Sequence, residues 1–443
     1  MRVLAVGGGA REHAIVAALV RSGAEVYACL KNKNPGICRA SKEWLLVEET
    51  DVAKVAEFGR TKGVDLAIVG PEAPLEAGLA DGLRREAIPT ASPSKAAARI
   101  ETSKSFMREL MAKHNIKGAL KFKIAETMDD IEDGLAELGT EVVVKPTGLT
   151  GGKGVKVFGE HLISKADVHA YADEILSKRI GGTAKIVLEE KLVGEEFTIQ
   201  AFCDGKHAVP MLAVQDHKRA YEGDKGPNTG GMGSYSQKGG LLPFLTRKEC
   251  DDAVEIMDQV LVALKKEEAE YRGTLYGQFM LTKGGPRVIE FNARFGDPEA
   301  MNVLSLLKGD FVKICDRMAN GSLSSRHVGF LDKSSVCKYV VPEGYGTTPL
   351  AGQEIKVDEV AIAKDGAVLY YASVNEKDGK VYTTTSRSVG IVGIADSIDD
   401  AEKIAENAIG HISGRVFVRH DIGRKAMLDA KVKRMKDIRS KRA

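Results

Sequence analysis

The alternation of apolar and polar residues along the chain falls into three patterns. Short continuous apolar runs occur at Arg2-Val3-Leu4-Ala5-Val6, Glu25-Val26-Tyr27-Ala28-Cys29 and Asp65-Leu66-Ala67-Ile68-Val69. Such runs suit strands buried on both faces, as in parallel sheets. With a helix at Ala14 to Arg21 and further alternation to about residue 100, they predict one doubly wound α/β domain. Strict alternation marks Val288-Ile289-Glu290-Phe291-Asn292. Ile289 and Phe291 would point into a core, with Glu290 and Asn292 on the other face and Arg294 following them. The preceding run, Leu275 to Thr282, would pair with it as a hairpin through Lys283-Gly284-Gly285-Pro286. A two-residue loop at Gly284-Gly285 would set Gln278 opposite Phe291. A loop that includes Pro286, which has no N–H for a ladder, would set Gln278 opposite Asn292, and this longer loop is expected. Helical spacing of Ala401, Ile404, Ala408 and Ile412 predicts a helix over Asp399 to Ile412, after strands at Ser335 to Val341 and Ser388 to Ala395. The tail from Lys431 to Ala443 is basic and lacks aromatics, which predicts a solvated helical end.

Composition narrows the function classes. A chain of 443 residues suggests two to four domains, and a net charge of +2 implies no nucleic-acid partner. No apolar run is long enough to span a membrane, and the chain opens directly into a strand rather than a signal peptide. The six cysteines are scattered with no CxxC, as expected of free thiols in a reducing cytoplasm rather than bridges or a zinc site.

The glycine-rich stretches bring in chemistry. Gly7-Gly8-Gly9-Ala10-Arg11-Glu12-His13 is a turn entering a helix, a natural anion site. Glu12 occupies the third position of GxGxxG, so a small phosphorylated substrate is favoured over a dinucleotide, with Arg11 adding charge. Gly70-Pro71-Glu72 ends a parallel strand at the same sheet edge, where Glu72 could reach that substrate. Ser103-Lys104 begins a helix. Lys145 is an inward lysine in a strand, costly unless it meets an anion. The stretch Thr147-Gly148-Leu149-Thr150-Gly151-Gly152-Lys153-Gly154-Val155 lacks the Walker A spacing and precedes a second strand, Val155 to Phe158. It reads as a flap whose backbone N–H groups fold over phosphates. Lys185 to Ile199 reads as strand, connector and strand, able to offer backbone groups to an adenine edge and Glu196 to a ribose. Gln215-Asp216-His217-Lys218-Arg219 precedes Gly226-Pro227-Asn228-Thr229-Gly230-Gly231-Met232-Gly233, which is expected to be a loop pressed against a ligand. Asp216 could hold an amine. Glu290 and Asn292 are adjacent hard oxygen ligands suited to Mg²⁺.

Lys145 with the flap, Glu189 to Glu196, and Glu290 with Asn292 resemble the ATP-grasp ligases. The glycine turn, Val69 to Leu75, Gln215 to Arg219, Gly226 to Gly233 and Ile289 to Glu299 are similar to signatures of one family among them, the glycinamide ribonucleotide synthetases. The likeness runs to Arg419-His420-Asp421-Ile422-Gly423, although Thr383-Thr384-Thr385-Ser386-Arg387 lacks the usual Gly-Gly-Arg. The resemblance implies a multidomain α/β and α+β fold: an N-terminal substrate-binding domain (1–103), a central ATP-grasp domain (104–325) with a mobile flap subdomain (about 120–193), and a small mixed C-terminal domain (326–443). It implies ATP-dependent joining of glycine to 5-phosphoribosylamine through a glycyl phosphate, in purine biosynthesis, by a cytoplasmic enzyme that is a monomer or alternatively a dimer. ATP and Mg²⁺ or Mn²⁺ are the implied cofactors. Gln278, Glu290 and Asn292 would hold the metal. Lys104, Lys145 and the flap residues Gly151, Gly152, Lys153 and Gly154 would contact phosphates. Glu189, Glu190 and Leu192 would face adenine, the last two by backbone, and Glu196 the ribose. Arg294 would stabilise the acyl phosphate or the glycine carboxylate, and Asp216 would meet the glycine ammonium. Gly9, Glu72, Lys218, Asn228, Gly230 and Gly231 would surround the other substrates, and Asp297 is a candidate base. A biotin carboxylase would need a carrier partner. A non-catalytic nucleotide sensor would not need Glu290, Asn292 and Arg294 together.

Overall fold

The computed structural model describes residues 1–151 and 154–440, so Gly152 and Lys153 of the flap lie outside the described residues. The N-terminal apolar runs form an all-parallel sheet in the order Glu43–Leu46, Glu25–Leu30, Arg2–Val6, Leu66–Val69. Helices Ala10–Arg21 and Val52–Lys62 pack on it, and the neighbouring strands Arg2–Val6 and Leu66–Val69 end at Gly7 and Gly70. Gly7 has φ +123°, a backbone state that favours glycine, and a side chain there would run into Glu12 and Pro71.

The inward lysine lies in a four-stranded antiparallel sheet ordered Phe122–Ala125, Ile186–Glu190, Val142–Pro146, Lys156–Val157. Helices Met128–Leu138 and Lys165–Lys178 enclose its separate apolar core around Val142, Val144, Ile175 and Leu188. A second antiparallel sheet runs Ala208–Pro210, Glu195–Asp204, Arg272–Thr282, Gly285–Asn292.

The hairpin between its last two strands corrects the expected loop. Thr282 pairs with Gly285, so only Lys283 and Gly284 form the turn, and Pro286 lies in the ladder opposite Leu281. The strand is at the sheet edge, where a proline costs no central hydrogen bond. Register then shifts by one: Phe279 opposes Val288 but Gln278 opposes Glu290, which leaves Ile289 as the extra residue of a bulge. Gln278 therefore does reach the Glu290/Asn292 face, through a bulge rather than a longer loop. The same bulge breaks the expected alternation, since Val288 and Phe291 are buried while Ile289 is only half-buried.

The glycine-rich 226–233 stretch is not all loop. Lys225–Asn228 pairs with Arg219–Tyr221, and Gly233–Ser236 joins Gln215–Asp216 to the C-terminal sheet through Ser334–Pro342. Val389–Ala395, Val368–Tyr371 and Val416–Val418 complete that sheet, with helix Ile398–Ile409 against it. Ile412 falls past this helix, in the strand Ile412–Gly414. The basic tail also differs from expectation. Lys425–Ser440 is a helix whose Leu428, Met435 and Ile438 are buried in the same core as Phe244 and Cys250. Arg439 donates to the Phe244 carbonyl at 2.9 Å. All six cysteines are free thiols, and five are buried. No helix among the described residues is long and apolar enough to cross a membrane.

Candidate functional site

The nucleotide-facing side is built where the flap sheet meets the bulged strand. Ser103 caps helix Lys104–Lys113, and the Lys104 ammonium donates to the Gly148 carbonyl at the foot of the flap, 2.9 Å away. Thr147 beside it keeps a buried hydroxyl with no hydrogen-bond partner. Lys145 lies 2.8 Å from Glu189 and 3.2 Å from the Ile289 carbonyl. Buried Arg108 donates to Glu189 at 2.7 Å, to the Val288 carbonyl at 3.0 Å and to the Ile289 carbonyl at 2.8 Å. The bulge thus frees a carbonyl that holds two cations in place. Burial favours the neutral form of Glu189, but Arg108 and Lys145 hold its pKa below the usual carboxylate range.

These pairs correct one expectation. The Glu189 carboxylate is occupied by Arg108 and Lys145 and does not face a nucleotide as a free side chain. The Glu190 carboxylate accepts from the Lys121 N–H at 2.8 Å and from Arg287 at 2.7 Å, and its own N–H goes to the Lys121 carbonyl. Leu192 lies in the connector between strands Ile186–Glu190 and Glu195–Asp204. Glu196 accepts from the Gln278 amide at 2.5 Å, and the Gln278 oxygen accepts from Lys218 at 2.7 Å.

Glu290 has no hydrogen bond or ion pair among the described residues. Burial works against its charge, yet Lys218, Lys145, Lys104 and Arg294 together hold its pKa below the ordinary value. Asn292 beside it offers its amide oxygen, 3.4 Å from Arg294. One carboxylate and one amide oxygen fit Mg²⁺, which fills its remaining positions with water and phosphate oxygens. The Gln278 oxygen is taken by Lys218 and would have to leave it to serve as a third ligand. No group of three or more His, Cys, Asp or Glu side chains among the described residues is placed to hold a metal.

Past the end of the same strand, against Arg294 and Phe295, lies the glycine turn. The Gly9 N–H donates to the Glu12 carboxylate at 2.8 Å, and Arg11 pairs with Glu12 at 2.5 Å. Glu12, which breaks the dinucleotide spacing, thus caps its own helix. Arg11 is buried, 3.9 Å from Glu72, and donates to the Phe295 carbonyl at 3.3 Å. Arg294 lies between Glu72 at 3.4 Å and Glu101 at 2.9 Å. Burial raises the Glu72 pKa, but Arg294 and Arg11 outweigh it and hold it at about 2. Burial dominates at Glu101, pushed up to about 7 although it faces Arg294 and accepts the Ala293 N–H at 2.7 Å.

Asp297 accepts from the Tyr339 hydroxyl and pairs with Arg387 at 2.9 Å. It is held by two donors, which does not suit the free general base considered from sequence. Arg387 stacks on Tyr339 at 4.4 Å and donates to the carbonyls of Gly230 at 2.6 Å, Gly231 at 3.1 Å and Asp297 at 2.9 Å. Gly231 has φ +109°, and a side chain there would meet Pro298 at 2.7 Å. Asn228 pairs with Arg219 at the far end of this stretch. Between the two sides, burial with nearby Glu299 and Glu196 pushes Asp216 up to about 7 against the pull of Lys218. Glu299 accepts from Tyr276 at 2.9 Å.

The structure therefore brings together Lys104, Lys145, Lys218, Gln278, Glu290, Asn292 and Arg294, with Gly9, Glu72, Asp297 and Gly231 beyond them. Sequence reasoning missed Arg108, Glu101, Tyr339 and Arg387. The arginine kept at Arg387 in a stretch that lacks the usual Gly-Gly-Arg was the available signal for the last.

Comparison with known proteins agrees with this architecture. Three phosphoribosylglycinamide synthetase family models match: the N domain over residues 1–101, the ATP-grasp (A) domain over 102–300 and the C domain over 335–425. The chain is 51% identical over 441 residues to the phosphoribosylamine–glycine ligase of Methanothermobacter thermautotrophicus, covering 99% of this chain and all of that protein. It is 52% identical over 443 residues to that of Methanococcus vannielii, with the same coverage. The crystal structure of phosphoribosylamine–glycine ligase from Thermotoga maritima superposes with a TM-score of 0.80 at 28% identity, covering 95% of this chain and all of that one. The biotin carboxylase domain of Hydrogenobacter thermophilus 2-oxoglutarate carboxylase, at 15% identity and a TM-score of 0.75 over 98% of this chain and 97% of that one, shares the fold. By sequence over its whole length and by fold, the chain belongs to the phosphoribosylglycinamide synthetases, the phosphoribosylamine–glycine ligases of the ATP-grasp superfamily.

Proposed function

We propose that the chain joins glycine to 5-phosphoribosylamine with ATP, giving glycinamide ribonucleotide, ADP and phosphate. The observation that carries this reading is the unpaired Glu290 carboxylate among Lys104, Lys145 and Lys218, with Arg294 reaching from that strand toward the glycine turn. A glycine carboxylate is a poor electrophile. Its oxygen attacks the γ-phosphoryl group, breaking the bond to ADP; the ribosyl amine then attacks the carbonyl carbon of the glycyl phosphate, forming the amide bond, losing a proton and expelling inorganic phosphate. The protein's task is to align the reactants and offset negative charge.

Glu290 and Asn292 would hold Mg²⁺ or Mn²⁺, which when bound neutralises charge on the ATP phosphates. Lys104 and Lys145, with Thr147, Gly151 and Gly154, line the phosphate path. Glu189 acts as the counter-ion that orients Lys145. The carbonyl of Glu190 and the backbone of Leu192 meet adenine, and Glu196 meets the ribose. Asp216 takes the glycine ammonium. Arg294, gripped by Glu72 and Glu101, faces the acyl phosphate with a fixed guanidinium. Gly9, Glu72 and the Asn228–Gly231 stretch enclose phosphoribosylamine. Asp297 orders Arg387 and Tyr339 rather than taking a proton. We place the functional divisions near residues 103 and 325, in a cytoplasmic monomer.

Phosphate release from ATP with Mg²⁺ and glycine, with and without phosphoribosylamine made in situ from ribose 5-phosphate and ammonia, tests the reading. Release that requires both substrates, with matching glycinamide ribonucleotide by mass, supports it. Nucleotide binding without release under any of these conditions would sink it in favour of a sensor.

A further inference from the structure

The carbonyl of Gly8, at the centre of the glycine turn, is not left to solvent. It accepts from the Asn32 amide at 3.2 Å and from the Asn34 amide at 3.1 Å. Both asparagines are buried, Asn34 at 0% exposure. Asn34 spends the rest of its amide on the C-terminal part of the chain, donating to the carbonyls of Tyr371 at 2.8 Å and Ala372 at 3.0 Å. Asn32 donates to the Val374 carbonyl at 2.9 Å. Two side-chain amides thus tie one turn carbonyl to three carbonyls of a single strip.

That strip leads to the site. Ala372 donates its N–H to the Ser388 carbonyl at 2.8 Å, and Ser373 donates to the Arg387 carbonyl at 3.0 Å. Arg387 is the residue whose guanidinium grips Asp297, Gly230 and Gly231. From the Gly8 carbonyl to Arg387 the path crosses two asparagine amides and one pair of backbone hydrogen bonds. Space is tight at the turn, since a side chain on Gly8 would come within 2.5 Å of the Asn32 oxygen. An exposed hydrogen-bond pair would add little, but buried amides facing four carbonyls take a donor from each when removed, and the Ala372 carbonyl keeps the Val374 N–H at 2.9 Å.

We propose that Asn32 and Asn34 are positioning residues that set the spacing between the glycine turn and the arm carrying Arg387, and so shape the pocket for the phosphoribosyl substrate. This rests on the reading of the glycine turn as the phosphoribosylamine end. Asn34 also caps helix Pro35–Ala40, its oxygen accepting from the Ile37 N–H at 3.1 Å. Asn34→Asp keeps that cap and replaces the donating amide with an acceptor.

The test is steady-state kinetics in which phosphoribosylamine, glycine and ATP are varied in turn, for the full chain carrying Gly9→Val, Asn34→Asp or Asn32→Asp. The proposal expects each asparagine variant to raise KM for phosphoribosylamine about tenfold while KM for ATP stays within about twofold. Combined with Arg387→Ala, Asn34→Asp should cost less than the product of the separate losses, because both act on one arm. A raised KM in Gly9→Val with none in either asparagine variant overturns the positioning role and leaves the turn's assignment standing. An unchanged KM in Gly9→Val overturns that assignment. Losses spread equally over all three substrates, or failure of both asparagine variants to fold, would make the pair general structural glue and end the proposal.

Discussion

The strand Gly285–Asn292 and the segment Arg294–Asp297 that follows it handle charge in opposite ways. Toward the glycine turn, the central charges are matched: Arg294 lies between Glu72 and Glu101, Arg11 pairs with Glu12, and Arg387 with Asp297. Toward the flap, Glu290 faces three lysines and forms an ion pair with none of them among the described residues. A matched network is costly to break and holds its members at fixed angles. An unmatched one has charge left over for something that arrives. On the function proposed above, the difference separates a side that would shape a pocket from a side that would receive a polyanion and its metal.

The sharpest way to break this comparison is Glu290→Gln. Removing this unpaired carboxylate should lower kcat by roughly 10²–10³-fold. Nucleotide binding persists, because the lysines remain. Phosphate release at saturating Mg²⁺, with ATP affinity measured by calorimetry, checks it, and near-normal turnover would erase the distinction between the two sides. On the matched side, Arg387→Ala strands Asp297 beside Tyr339. It should cut kcat/KM for phosphoribosylamine by roughly thirtyfold while changing KM for ATP little, the signature of lost shape rather than lost phosphate contact.

Asp216 lies between the two regimes and sharpens the boundary by pH. Its pKa is pushed up to about 7 by burial. The charged form that an ammonium needs therefore dominates only above that value. KM for glycine should be flat above pH 7 and rise up to about tenfold per unit below it. Asp216→Asn should raise KM and remove the slope. A slope that survives the substitution would move the titrating group elsewhere.

The smallest effect concerns the seam behind the glycine turn. His13 accepts the Tyr371 N–H at 2.8 Å, and burial together with Arg39 lowers its pKa to about 4. The folded state therefore binds a proton less readily than the unfolded chain. The stabilisation is complete above about pH 6.5 and is lost as pH falls toward 4, on the order of 3 kcal/mol. His13→Asn should flatten denaturant midpoints across that window. An unchanged acid slope would assign it to another titrating group.

Much of this was legible in the chain. Parallel strands of the N-terminal sheet read directly from their apolar runs, because burial on both faces leaves no alternation to misread. Glu290 and Asn292 read correctly because they follow the bulge, where the period of two holds again. Ile289 did not, since one inserted residue exchanges faces and nothing in Pro-Arg-Val-Ile-Glu announces it. Pro286 was misplaced because an edge strand forgives a missing donor and the sequence does not say which strand is the edge. Glu101 and Arg108 read as ordinary helical residues. Their partners lie about 80 to 190 residues away, at Glu189, Ala293 and Arg294, and only the fold brings them close. The tail helix was taken for solvated because its lysines outnumber Leu428, Met435 and Ile438, the three residues that decide its packing.

That helix has a consequence for how the chain comes off the ribosome. Phe244, Leu245 and Cys250 share a core with residues near 428–438, and synthesis at about 5–20 residues per second separates the two by some ten to forty seconds. Throughout that interval the central part of the nascent chain presents an uncovered apolar face beside sheets already able to form. A trigger-factor-like or Hsp70-like holdase should therefore crosslink most strongly to nascent chains stalled between about residues 280 and 430. Release should follow once the last helix has cleared the exit tunnel.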